Sequence, residues 1–185
     1  MKKILLLLLV VSLSLTQLKA QEPTFSKGDK VLNLGFGLGS TLYSGFYYKS
    51  MIPPLSASVE VGVVDNVLEK GVIGIGGYLG YSSYKYEVSN WGWKYSNMII
   101  GGRGTFHYPL VDKLDTYAGI LLGYNISTSK EFGTVTPGYS YHSSNGGVVY
   151  AAFVGARYYF QNNFGVLGEF GYGISYLTLG VSLKF

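Results

Sequence analysis

From Leu177 to Phe185, apolar residues hold every odd position and small or polar residues every even one. A two-residue period places alternate side chains on opposite faces of an extended strand. The same alternation recurs over 30–41, 54–64, 72–86, 95–108, 115–128, 147–160, 164–173 and 177–185. It predicts eight strands, each with one greasy face and one polar face. No apolar run after Leu15 reaches the roughly 20 residues that a spanning helix needs. In lipid, where backbone polar groups must all be paired, the remaining solution is a closed barrel. The expected fold is therefore all-β, an eight-stranded antiparallel up-and-down transmembrane β-barrel. A soluble lipocalin-like barrel is the alternative.

Strand phase sharpens the expectation. Leu32, Leu34, Phe36 and Leu38 turn toward lipid, followed by Leu55, Ala57, Val59, Val61 and Val63. Ile73, Ile75 and Leu79, then Ile120, Leu122 and Tyr124, then Val148, Tyr150, Val154 and Tyr158 continue the pattern. The opposite faces carry Asn33, Ser56, Ser58, Glu60, Arg157, Glu169, Ser182 and Lys184. This phase keeps charges off the lipid face at mid-membrane, where Arg or Lys costs about 2–4 kcal/mol. Both faces of Asn97–Ile100 look apolar, so the phase of 95–108 is set by turning Arg103 inward. Glycines at 35, 37, 74, 76, 80, 101, 155 and 180 then point inward and leave room for larger groups. Aromatic belts are expected at two rims: Tyr108, Tyr158, Phe160, Phe164 and Phe185 at one, Tyr43, Tyr84, Trp91, Trp93, Tyr95 and Tyr172 at the other.

The N-terminal segment has a different character. Met1-Lys2-Lys3 precedes an almost continuously apolar stretch from Ile4 to Leu15, and Leu18-Lys19-Ala20 precedes a cleavage site before Gln21. This reads as a cleavable signal peptide over 1–20, followed by one barrel domain over 21–185. The chain has 14 Lys plus Arg and 10 Asp plus Glu. Lys2, Lys3 and Lys19 leave with the signal, so 11 basic residues face 10 acidic ones, a net of +1. No basic footprint for nucleic acid remains. Residues 21–29 form a short polar lead, expected to be mobile.

Glu60, Arg103, Arg157 and Glu169 are the principal candidate site. Each falls about five residues from the same end of its strand, which places two acids and two bases at one level inside the barrel. One reading is a structural ion-pair layer that fills the lumen. The other is a gate whose pairs exchange partners. His107 falls on an inward face, and His142 lies in the longest connection beside Ser143 and Ser144. No spacing fixes a Ser-His-acid triad or a metal site, so no catalytic residue, metal or cofactor is expected. The connections 43–53, 87–94 and 129–146 are long and carry Tyr47, Tyr48, Trp91, Trp93, Tyr139 and Tyr141 among Ser, Asn and Gly. Tyr and Trp beside small polar residues make adaptable contact surfaces. These six are candidate contacts for an outside partner.

Val154-Gly155-Ala156-Arg157-Tyr158-Tyr159-Phe160, Asn163-Phe164-Gly165, Gly168-Glu169-Phe170-Gly171-Tyr172-Gly173 and Leu179–Phe185 together resemble the small outer-membrane β-barrel (porin-like) family of Gram-negative bacteria. Asp115-Thr116-Tyr117-Ala118-Gly119 is similar to the family's mid-barrel strand start. The resemblance implies an integral outer-membrane barrel without a cofactor, both termini periplasmic, short turns inside and long connections outside. It also implies that the final strand, with Leu183 and the closing Phe185, is the signal read by the barrel-insertion machinery. Expected partners are outer-membrane lipid and lipopolysaccharide, that machinery during biogenesis, and an unidentified extracellular ligand, with the barrel a monomer. The expected function is a structural or surface-interaction role with a largely filled lumen. A narrow channel for small solutes or ions is the alternative, and an outer-leaflet lipid-modifying enzyme is a third.

Overall fold

The computed structural model describes residues 24–39, 42, 47–88, 91–133 and 141–185. The segment 1–20, expected to be a signal peptide, and Tyr43 and Tyr139 lie outside the described residues. Eight strands follow in order: β1 (Lys30–Leu38), β2 (Tyr48–Val67), β3 (Gly71–Val88), β4 (Trp91–Val111), β5 (Leu114–Gly133), β6 (His142–Tyr159), β7 (Phe164–Tyr172) and β8 (Leu177–Lys184). Each pairs antiparallel with the next, and β1 pairs with β8 from Val31↔Lys184 to Leu38↔Leu177, so the sheet closes on itself. No helix among the described residues is long and apolar enough to cross a membrane.

The wall faces the way its alternation demands. Ile120, Leu122, Val148 and Tyr150 are between 66% and 76% exposed. Such a surface is unfavourable in water and suits lipid. Inside, Asn33, Ser58, Asn97, Thr105 and Ser182 are buried. The interior is thus polar and the exterior apolar, the inverse of a soluble barrel.

Strand lengths divide the molecule. β2 to β6 run 18 to 21 residues, whereas β1, β7 and β8 run 8 or 9. At the end carrying the described termini, the connections are short: 68–70, 112–113 and 160–163. Lys113, Leu68 and Glu69 take positive φ there, which tightens the turns. At the far end, β2 to β6 rise past their neighbours, and β6 pairs with β7 only over Ala152–Tyr159.

Several expectations change. Among the described residues, the connections expected over 43–53, 87–94 and 129–146 are largely strand, with pairing continuing to Tyr48↔Tyr86, Trp91↔Gly133 and Lys130↔His142. That expectation put Pro53 in a connection and Pro54 at the start of a strand, and neither proline can donate to a ladder. The strand instead absorbs them with register shifts at Ser50/Ile52 and Ile52/Leu55. A further shift between Gly62 and Val64 sets Val64, rather than Val63, opposite lipid-facing Ile73. Tyr84 was expected at the outer rim but is buried at 5% exposure, in phase with inward Ser82.

The N-terminal lead also differs from expectation. Residues 24–29 fold across the barrel end: Gly28 N donates to Gly62 O (2.9 Å), and Lys184 Nζ donates to Thr24 O (3.0 Å). Phe25, Val31 and Val72 form an apolar cluster there, each at most 2% exposed. The lead is held because Phe25 gains a buried site that a free terminus would lack.

Candidate functional site

The four charged residues chosen from the sequence all project into the lumen, in two pairs. Arg157, fully buried between β5 and β7, donates from Nη2 to Glu60 of β2 and from Nη1 to Asp115 Oδ2 of β5 (2.9 Å). Arg103 of β4 donates from Nη2 to Glu169 Oε1 of β7 (2.6 Å) and from Nη1 to Ser58 Oγ (3.2 Å). Arg157 and Glu169 occupy adjacent strands but do not meet: their register partners are Leu167 and Gly155.

The layer is larger than those four residues. His107 Nδ1 lies 2.7 Å from Asp115 Oδ1, and Nε2 lies 2.6 Å from Glu60 Oε1. Carboxylate oxygens accept, so a ring carrying both protons satisfies both contacts. Thr105 Oγ1 also donates to Glu60. Tyr117 connects the pairs: its ring lies under the Arg157 guanidinium at 4.4 Å, and its hydroxyl donates to Glu169 Oε1 (2.8 Å). A protonated His107 would make three cations for three carboxylates. Phe25 closes the stack, its ring 4.2 Å from that of His107.

Glycines leave the space this layer fills. A Cβ on Gly74 would stand 2.5 Å from Glu60 Oε1, and one on Gly155 would stand 2.6 Å from the Tyr117 ring. Asn33 continues the polar core, donating to Ser58 Oγ (3.1 Å) and accepting from Ser182 Oγ (2.7 Å).

Thr105, Asp115, Tyr117 and Phe25 are the members that sequence reasoning missed. Asp115 and Tyr117 share the phase of inward Leu121, opposite to lipid-facing Ile120 and Leu122, so alternation alone contained that signal. Phe25 lies outside any periodic segment and left none. Above the Arg103–Glu169 pair sits a cavity of about 240 Å³, lined by Tyr78, Ile99, Leu121, Phe153 and, at the β7–β8 turn, Ile174. His142 is exposed on β6 opposite Lys130.

The aromatic candidates cluster at the far end. Tyr48, Trp91 and Trp93 are strand residues rather than loop residues. Trp91, Trp93 and Tyr95 share the odd, inward phase of Arg103, so they line the inner face of the raised wall rather than a lipid-facing belt. Trp93 stacks edge-on with Trp91 (6.1 Å) and with Tyr141 (5.5 Å). Tyr48 lies 5.3 Å from Tyr86 and 6.1 Å from Tyr95, and Tyr47 lies 6.0 Å from Tyr86. Trp91 Nε1 donates to Glu131 Oε1 (2.5 Å). Leu183 and Phe185 stand on the outer wall, and Phe185 exchanges backbone hydrogen bonds with Lys30.

No protein-family model matches the sequence, and no curated protein does. Solved structures do match. Ail, the attachment invasion locus protein of Yersinia pestis, aligns at 15% identity and TM-score 0.54, covering 86% of this chain and 99% of that one. Ail in complex with the heparin analogue sucrose octasulfate aligns at 13% identity and TM-score 0.55, with the same coverage. The outer membrane protein OprG of Pseudomonas aeruginosa aligns at 10% identity and TM-score 0.50, covering 89% of this chain and 99% of that one. The fold is that of the eight-stranded outer-membrane barrels. At these identities the likeness establishes architecture, and function has to be argued from the residues.

Proposed function

We propose that this chain is an integral barrel of the Gram-negative outer membrane, with both termini on the periplasmic side, acting as a non-enzymatic surface-interaction protein whose lumen is sealed at its periplasmic end. One observation carries the reading. Arg157, Glu60, Asp115 and His107 fill the barrel cross-section near the termini, and Phe25 covers them. Buried charges persist when paired and hydrogen-bonded, and we read this layer as closing the lumen to water. The short turns at the termini and the raised wall at the far end support the orientation, because outer-membrane barrels keep short turns inside and long segments outside. The surface role rests on the inner face of that wall, where Trp91, Trp93, Tyr48, Tyr86, Tyr95 and Tyr141 gather.

Conductance of the refolded protein in planar bilayers tests the sealed lumen. A folded, heat-modifiable barrel that stays silent is the expected result. Steady openings that change in size with Arg157→Ala would overturn it in favour of a gated channel.

A further inference from the structure

A second set of charges lies on the outer wall and takes no part in the lumen network. Strand pairing sets Lys49 opposite Lys85, Lys85 opposite Lys94, Lys94 opposite Lys130, and Lys130 opposite His142. Directly opposed residues share a face of the sheet, about 4.5–5.5 Å apart at Cα. Here it is the outward face, since Lys94 is in phase with exposed Met98 and Ile100, and Lys130 with exposed Ile126 and Tyr124. Four adjacent strands thus carry one continuous row of lysines, with His142 beside its last member on the fifth strand, climbing obliquely because barrel strands tilt.

The rows beneath it grade from water to oil. Next comes Ser83–Ser96–Thr128–Ser144, then Tyr81–Met98–Ile126–Gly146, then Leu79–Ile100–Tyr124–Val148. The lysines therefore stand where the hydrocarbon ends. Like charges directly opposed across strands destabilise a sheet, and little in the protein offsets these. Glu87 Oε2 lies 3.0 Å from Lys85 Nζ. Lys49, Lys94 and Lys130 are exposed, with no ion-pair partner among the described residues. Glu131, the nearest carboxylate in sequence, is on the opposite face, bonded to Trp91.

We propose that this row binds the phosphate groups of glycolipid headgroups in the leaflet surrounding the barrel. The proposal rests on the orientation given above. Three observations favour a lipid over a soluble anion. The row faces the bilayer rather than the mouth. It continues directly into lipid-facing apolar rows on the same strands. On β3 to β6 a line of hydroxyl residues separates the two, Ser83 buried and Ser96, Thr128 and Ser144 more open. Lysine suits the position, because its flexible stem packs along apolar surface while its ammonium reaches the headgroup level.

The test uses the full-length chain refolded in zwitterionic micelles, with bisphosphorylated lipid A and its enzymatically dephosphorylated form as probes and native mass spectrometry as the readout. Wild type is expected to retain the phosphorylated form at least about tenfold more tightly, since each lysine near an anionic surface contributes severalfold. Replacing Lys49, Lys85, Lys94 and Lys130 by Gln is expected to abolish that preference, and replacing them by Arg to keep it. Equal retention of both forms by wild type, or a preference unchanged in the Gln variant, overturns the proposal. Sucrose octasulfate binding as tightly as phosphorylated lipid A, with the same sensitivity to Gln, would also overturn it by making the row a site for soluble polyanions. Should the Gln variant not refold, the wild-type comparison decides. A conducting lumen would leave these results untouched, so the two readings fail separately.

Discussion

The lumen layer and the outer lysine row hold comparable numbers of charges in opposite circumstances. Inside, the guanidinium ends of Arg103 and Arg157 bond carboxylates, and Glu60, Asp115 and Glu169 are each bonded by at least two groups. Outside, four lysines stand side by side with Glu87 as their one carboxylate among the described residues. Burial explains the contrast. A charge taken out of water must find its partner within the protein. A charge at the bilayer boundary can find one in the lipid. The inner charges are therefore paired within the protein, with only the Nε groups of Arg103 and Arg157 left without a partner among the described residues, whereas on the proposal above the outer set takes its partners from the lipid.

The largest effect expected from that contrast belongs to Arg157→Ala. It strips Glu60 and Asp115 of the guanidinium they share in a buried site, leaving His107 as the one group that still touches both. Breaking a buried pair typically costs about 3–5 kcal/mol. Urea unfolding of the barrel in lipid vesicles measures it. A loss under about 1 kcal/mol would mean that water reaches the layer and that the inner set is less self-sufficient than it looks. Gly74→Val should cost less, about 1–3 kcal/mol, the usual penalty for overpacking. Its side chain would intrude on Glu60 Oε1, which a Gly74 Cβ would already approach at 2.5 Å. The same unfolding experiment applies, and a neutral result would break the claim that the layer is tightly packed.

The two regions were also unequally legible in the sequence. Alternation placed Glu60, Arg157 and Glu169 on inward faces because strand period is a local property, whereas Arg103 was turned inward to set the phase of its own strand. It could not assign partners: Arg157 bonds Glu60, 97 residues away, rather than Glu169 on the adjoining strand. Which charges meet depends on register and strand tilt around the closed ring. The far end misled for a different reason. Pro53 and the Ser and Tyr before it read as loop, yet β3 pairs with this stretch as far as Tyr48↔Tyr86 and carries it upward as sheet. The lysine row was invisible for the same reason. Lys49, Lys85, Lys94 and Lys130 are scattered singly through the chain, and only the register of three hairpin contacts aligns them. Phe25 shows the remaining limit, since a single aromatic in a polar lead gives no periodic sign that it will be buried.

Lys94→Gln is the smallest predicted effect and the one that most directly separates the two regions, because its sign should depend on the lipid. Lys94 stands between Lys85 and Lys130, so it is the central like charge of the row. In zwitterionic vesicles its removal relieves two opposed pairs and should raise stability slightly, by about 0.2–1 kcal/mol on the scale of cross-strand pairs. In vesicles containing bisphosphorylated lipid A the same lysine gains an anionic partner, so its removal should lower stability by a similar amount. Nothing inside the barrel behaves this way. Arg157→Ala should cost the same in both lipids, because its partners come from the protein. Added salt sharpens the distinction, since exposed charges are screened over about 10 Å at 0.1 M while the buried pairs are not. Paired urea titrations in the two lipids, at low and moderate salt, read all four comparisons. A lipid-independent effect of Lys94→Gln would return the outer row to the status of ordinary surface lysines.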